Sequence, residues 1–239
     1  MSLGATSVPS GLDRASLALS GWYKPDFSGS PWTGSASAGA SGGRTISWPT
    51  AGEIPVAGTA VNGKAPASFD GTNDVLRDGS LAGSSYLSAA AYSIVMLVKP
   101  SAPSGANANA YSDEQLFCIS GDQVGISWNS SGVRGWHYNG SNWTPTSHVT
   151  CSADSWHMVA LTYDGTTQSI SVDNGTPQTL ARSNVNSLTG IPRLGQSGGA
   201  VFTQEDVLEL LTAQTAFDAT TLTAIYNSFK RDYPSASLP

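Results

Sequence analysis

The sequence predicts an all-β fold: a two-sheet antiparallel jelly-roll sandwich with one short C-terminal helix. Three observations carry this. Short runs of β-branched and aromatic residues recur about every ten residues, separated by Gly, Ser, Asn, Asp and Pro. Only one stretch, near the end, places apolar residues at helical spacing. The 239 residues are also poor in charge, 12% against 39% hydrophobic. That is too little charge for a coiled coil, and 7 Trp, 8 Tyr and 6 Phe are too many aromatics for a disordered chain.

Each element has its own signal. Residues 93–99 (SIVMLVK) are apolar on both faces, as in a central strand covered on both sides. Residues 115–120 (QLFCIS) end at Gly121-Asp122, and residues 124–128 (VGISW) run into Asn129-Ser130-Ser131-Gly132. Residues 133–138 (VRGWHY) precede Asn139-Gly140. Residues 157–163 (HMVALTY) meet Asp164-Gly165, a strong short-hairpin signal, because glycine supplies the positive φ of a tight turn. Along that strand Val159, Leu161 and Tyr163 point one way, Met158 and Ala160 the other. Residues 168–173 (QSISVD) alternate and end at Asn174-Gly175, and residues 207–211 are the last strand. The helix starts at Asp218, an N-cap, and carries Leu222, Ile225, Tyr226 and Phe229 on one stripe. Lys230 and Arg231 complement its C-terminal dipole and Pro234 stops it. A helix this short is not stable alone in water, so it must dock on a sheet.

Residues 28–43 and 100–110 have the composition of long surface loops. No internal repeat or linker interrupts the pattern, so residues 1–239 are expected to form a single domain. The first ten residues are expected to be flexible or foreign to the natural chain, and they lack the charged start and apolar centre of a signal peptide.

Composition excludes several function classes. The net charge of −6, with no basic stripe, argues against a nucleic-acid binder that neutralises phosphates. No apolar run reaches the length of about 18 residues that a membrane helix needs, so no membrane insertion is expected. Cys118 and Cys151 are too few for a disulfide scaffold and too far apart in sequence for a thiolate metal site. They form either one cross-strand disulfide or two buried thiols.

Several of these segments together resemble the concanavalin A-like, laminin-G-like jelly-roll superfamily, in its bacterial or phage form. Residues 156–174 (WHMVALTYDGTTQSISVDN) are similar to its Trp-His-His-Val-Ala-x-Thr-Tyr-Asp-Gly hairpin. Residues 62–76 (NGKAPASFDGTNDVL) resemble its Asp-Gly-x-x-Asp strand, and residues 93–100 its valine-lysine strand. Residues 208–233 resemble its closing strand and terminal helix, and residues 12–48 its opening strand and long Ser-rich loop. The resemblance implies two curved sheets of six or seven strands each, with any glycan site on the concave face or the rim loops. It also implies that Phe69 is buried while Asp70 and Asp74 bond loop amides.

Four chemistries bear on these residues. Some relatives on this scaffold cleave β-glucans with paired carboxylates. Here Glu205 and Glu209 are expected to share a strand face, about 13 Å apart, too far for a retaining pair at about 5 Å, with Asp206 facing away. A glycoside hydrolase is therefore the least favoured reading, and the chain is expected not to be an enzyme. Ser-His-Asp chemistry is disfavoured because no Gly-x-Ser-x-Gly elbow accompanies His137, His148 or His157. His157 is expected to be structural, half-buried and bonded to a carbonyl. Calcium is the candidate ion, since many members of the superfamily hold it at loop rims. Asp70, Thr72, Asn73 and Asp74 give one oxygen-rich loop and Asp122-Gln123 another. The alternative, that these side chains cap turns, is preferred.

Glycan binding has the richest signal. Apolar ring faces pack on sugar C–H groups while planar polar groups take the hydroxyls. Residues 128–143 offer both: Trp128, Trp136, Tyr138 and Trp143 as faces, with Asn129, Arg134, Asn139 and Asn142 as hydrogen-bond partners. Trp136 and Tyr138 are expected on one strand face as a stacking platform. For Trp128 and Trp136 taken singly, a core role is preferred. For residues 139–143, a surface role is. The resulting expectation is a non-catalytic lectin-like module that binds a carbohydrate or surface polymer. The alternative is a structural or interaction protein, such as a phage tail or capsid component or an adhesin domain, whose partners are other virion or cell-surface proteins. Either is expected outside the cell, on its surface or on a virion.

Overall fold

The doubly apolar segment at residues 93–99 is the centre of the molecule. A computed structural model describes residues 12, 17–25, 32–34, 44–46, 53–77, 83, 86–103, 113–121, 123–183, 185–196 and 201–239. These residues form β1 (Gly21–Tyr23), β2 (Trp32–Gly34), β3 (Arg44–Ile46), β4 (Val56–Ala57), β5 (Ala67–Asp70), β6 (Leu76–Arg77), β7 (Tyr92–Pro100) and β8 (Glu114–Ile119). They continue with β9 (Val124–Asn129), β10 (Gly132–His137), β11 (His157–Tyr163), β12 (Thr167–Val172), β13 (Gln178–Ala181), β14 (Pro192–Leu194) and β15 (Gln204–Ala213), then α1 (Ala219–Asp232).

One sheet has eight strands in the order β13-β12-β11-β7-β15-β5-β4, with β1 beside β5 on the same flank of β15. The other has five, β10-β9-β8-β14-β6, and β2-β3 form a separate pair. Every pairing of named strands is antiparallel. The β-sandwich and its helix follow the sequence expectation. The strand division does not: eight and five replace six or seven each, and β2 lies inside the segment expected to be a loop.

Alternation along β7 and β11 builds two cores. Ile94, Met96, Val98, Val159, Leu161 and Tyr163 face the five-stranded sheet and meet Phe117, Ile119, Ile126 and Val133. Val95, Leu97, Met158 and Ala160 face outward and are covered by Ile225, Tyr226 and Phe229 of α1. The predicted helix stripe is therefore the lid of the second core. Burying Phe229 completely stabilises the docked helix by about 2–3 kcal/mol. Asp218 Oδ1 accepts from the Thr221 N–H at 2.7 Å, as an N-cap should. The Asp164 turn is held in the same way, its Oδ1 accepting from the N–H groups of Thr166 and Thr167, each at 2.8 Å.

β15 departs from simple alternation. Val207 pairs with Val98 but Glu209 pairs with Leu97, so Leu208 is an extra, bulged residue. The bulge turns Glu209 outward with Leu97, while Glu205 stays on the inner side with Val207 and Phe69. The expectation that Glu205 and Glu209 share a face is thus corrected.

Candidate functional site

The residues singled out for glycan contact separate into a buried set and an exposed tip. Trp128 is 2% exposed, packs in the inner core and donates its Nε1–H to the Ser101 carbonyl at 3.0 Å. Trp136 is 0% exposed and packs with Cys118. Neither ring presents a face to a ligand, which removes both from the candidate site and agrees with the core role preferred for each taken singly. Arg134 is also committed: its Nη2 lies 2.7 Å from Asp113 Oδ2, which Asn129 Nδ2 also reaches at 3.1 Å. The expected Trp136–Tyr138 platform does not form, because β10 ends at His137 and the alternation ends with it.

Tyr138 instead stacks on Trp143, ring centroids 4.2 Å apart and planes 22° apart. Trp143 is 37% exposed, and Val56 is the only other large hydrophobic side chain among the described residues that is comparably exposed. The loop between the two rings is built by side chains. Asn139 Oδ1 accepts from the N–H groups of Ser141 and Asn142, each at 3.0 Å. Tyr138 donates its hydroxyl to the Gly140 carbonyl at 2.8 Å, and Gly140 takes a φ of +95°. Asn142 Oδ1 in turn accepts from the Thr144 N–H at 3.4 Å, so both amide oxygens help to shape the loop.

One residue that the sequence reading missed fixes the tip from beneath. Arg182 donates from Nη1 to Asn142 Oδ1 at 3.3 Å and to the Thr144 carbonyl, and from Nη2 to the His137 and Asn142 carbonyls. Its acceptors lie about forty residues earlier and most are backbone, so no spacing announces them. Below it, Tyr92 donates its hydroxyl to His137 Nδ1 at 3.0 Å, and His137 Nε2 donates to the Ser183 carbonyl at 2.9 Å. Burial, reinforced by the Arg182 charge, lowers the His137 pKa to about 4, which keeps the ring neutral and allows it to accept from Tyr92. Burial likewise lowers the pKa of Arg182.

The calcium loop resolves as capped turns. Asp70 Oδ1 accepts from Thr72 N–H at 2.7 Å and Asn73 N–H at 3.2 Å, and Asp74 Oδ2 accepts from Asp70 N–H at 2.9 Å. Asp74 is buried, and desolvation raises its pKa. One oxygen of each carboxylate is thus committed to backbone N–H groups, as the turn-capping alternative requires. Among the described residues no group of three or more His, Cys, Asp or Glu side chains is placed to hold a metal. Asp122 lies outside the described residues.

The carboxylates of β15 are structural as well. Glu209 accepts from Trp22 Nε1–H at 2.9 Å and from the Tyr233 hydroxyl at 2.6 Å, tying β1 and the chain after α1 to the sheet. Glu205 is 1% exposed and accepts from Gly195 N–H at 3.2 Å, and burial pushes its pKa well up. The two lie on opposite faces and cannot flank one bond.

A Ser-His-Asp constellation does occur, contrary to expectation. Ser152 Oγ lies 2.9 Å from His157 Nε2, and His157 Nδ1 lies 2.6 Å from Asp173 Oδ2. The same Nε2 is 3.1 Å from the Ser152 carbonyl. With Nδ1 donating to the Asp173 carboxylate, Nε2 of a neutral ring is left as the acceptor that faces the Ser152 hydroxyl. With Asp173 Oδ1 also accepting from Met158 N–H at 2.8 Å, these contacts staple the chain before β11 to the turn after β12. His157 lies within reach of the Ser152 carbonyl, and at 6% exposure it is buried rather than half-buried. Cys118 and Cys151 are both buried free thiols, so no disulfide joins them, and burial raises the Cys151 pKa to about 12.

Solved structures share this scaffold at low sequence identity. The chain is similar to Trypanosoma rangeli sialidase, with a TM-score of 0.61 and 14% identity over 89% of this chain and 33% of that one. It is similar to the binding domain of Paraclostridial Mosquitocidal Protein 1, with a TM-score of 0.60 and 11% identity over 89% and 52%. It is also similar to the binding domain of botulinum neurotoxin serotype G, with a TM-score of 0.60 and 12% identity over 88% and 51%. The chain thus spans about a third of the sialidase and about half of each toxin binding domain. Likeness at these identities shows a shared β-sandwich fold. No protein-family model matches the sequence, nor does any curated protein. Among the described residues no helix is long and apolar enough to cross a membrane.

Proposed function

We propose that this chain is a non-catalytic, lectin-like module of the concanavalin A-like type. In this reading it binds a carbohydrate through the tip formed by Tyr138 and Trp143, outside the cell or on a virion. The observation that carries the reading is the exposed Trp143 ring, backed by Tyr138 at 4.2 Å in a loop fixed by Arg182. A ring held in place loses little freedom when a sugar packs on it. Solved structures of similar fold include the sialidase in complex with sialic acid and a neurotoxin receptor binding domain, which supports the reading without naming a sugar. The opposed faces of Glu205 and Glu209 favour binding over glycoside cleavage.

A glycan array probed with the full chain tests this. Binding to at least one glycan class is expected, with Trp143→Ala weakening it at least tenfold and leaving the melting temperature unchanged. Failure to bind any glycan overturns the reading and favours a protein-contact role for the same tip.

A further inference from the structure

The outward face of the eight-stranded sheet changes character across its width. Under α1 it is apolar, with Val95, Leu97 and Met158 buried. Beyond the start of the helix the side chains of β11 and β12 become small and hydroxylic: Thr162 pairs with Ser169, and Ala160 with Ser171. These residues floor a groove of about 380 Å³, walled by Phe217 and Leu222 and rimmed by Asp164 and Asp218.

The hydroxyls are the informative feature. Ser171 is only 6% exposed, yet its side chain has no hydrogen-bond partner among the described residues. Thr162 and Ser169 beside it are half-buried, and their side chains likewise have no partner among the described residues. Buried polar groups ordinarily find partners within the protein, and a surface meant only for helix packing would carry aliphatic side chains here as it does under α1. The Ser171 hydroxyl, on a residue nine-tenths buried, opens only into the groove, and with Thr162 and Ser169 it offers donors and acceptors to whatever enters.

Charge and shape narrow the occupant. No cationic side chain lines the groove. Backbone N–H groups hold the Asp164 and Asp218 carboxyls below the usual range, so both are ionised at neutral pH and repel an anion. One wall is apolar and the floor is hydroxylic, which suits a ring with apolar C–H faces and hydroxyl edges. We propose that the groove between the β11–β12 surface and the start of α1 is a second binding site, for a neutral saccharide. It belongs to the outer face of the eight-stranded sheet, whereas the Trp143 tip follows β10 of the five-stranded sheet. The two sites stand or fall separately.

The test is calorimetric titration of the full chain with neutral gluco-, manno- and galacto-hexasaccharides, using three variants. Ser169→Trp fills the groove. Ser169→Ala with Ser171→Ala removes two hydroxyls without adding bulk, and decides the question should the tryptophan variant fail to fold. Trp143→Ala removes the tip. The expected result is a binding component for one neutral series that the groove variants weaken at least tenfold, whether or not Trp143→Ala removes a separate component at the tip. Binding lost only with Trp143→Ala overturns the groove and leaves the tip. Absence of neutral-saccharide binding in the wild type also overturns it, as does preferential binding of a sialylated or sulfated series at the groove.

Discussion

His137 makes the fold sensitive to mild acid in a way that a single substitution can isolate. Its ring is fully buried between Tyr92, Tyr163 and the Arg182 guanidinium, which lowers its pKa from 6.5 to about 4. The unfolded chain therefore takes up this proton first as pH falls. The stability that His137 contributes is complete above pH 6.5 and is lost progressively towards pH 4. At ~1.4 kcal/mol per decade of proton activity, the interval amounts to about 3 kcal/mol. His137→Gln keeps a donor and an acceptor near Tyr92 and Ser183 but does not titrate. Urea unfolding followed by tryptophan fluorescence at pH 7, 5.5 and 4.5 separates this group from the carboxylates, which titrate alike in both proteins. The expected result is a wild type whose unfolding free energy falls by about 2–3 kcal/mol more than that of His137→Gln across this range. Parallel curves would refute the burial argument.

Other expectations follow from the same packing. Gly135 lets the two sheets approach, since an added Cβ would sit 2.2 Å from Leu161 Cδ1. Gly135→Ala should cost about 1–3 kcal/mol in chemical denaturation, the range of overpacked cores. Phe229→Ala should cost about 3–5 kcal/mol and expose the outer core, read as a lower urea midpoint and new binding of a hydrophobic dye. Asp173→Asn should destabilise by about 1–3 kcal/mol through its bonds to His157 and Met158, while Ser152→Ala changes stability by less than about 0.5 kcal/mol. Covalent labelling of Ser152 by a fluorophosphonate would contradict the structural reading of that constellation.

What the sequence disclosed follows from where patterns are redundant. β7 and β11 were legible because each position is committed to one of two apolar cores, so alternation and composition agree. The helix was legible from its cap and its stripe together. The short strands β13 and β14 escaped notice: β13 is a polar edge strand, and β14 is a three-residue insertion between β8 and β6. The bulge at Leu208 was invisible because VLELL reads as apolar in either phase, and it reverses Glu209 relative to Glu205. At the tip, composition marked the aromatic segment, and the preference for a core role at Trp128 and Trp136 and a surface role at residues 139–143 agrees with their burial. The Tyr138–Trp143 stack was not legible, because it depends on β10 ending at His137 so that Tyr138 leaves the strand alternation with Trp136. Arg182 left no local trace, because its partners are mainly carbonyls that any residue could supply.

The most direct test of the central claim is to follow the Trp143 indole N–H resonance while the full chain is titrated with a glycan that it captures on an array. Lectin-like binding at the tip predicts a saturable shift of that resonance at the concentration that half-saturates binding, with the buried Trp128 and Trp136 resonances unmoved. A bound glycan that leaves Trp143 unshifted contradicts it.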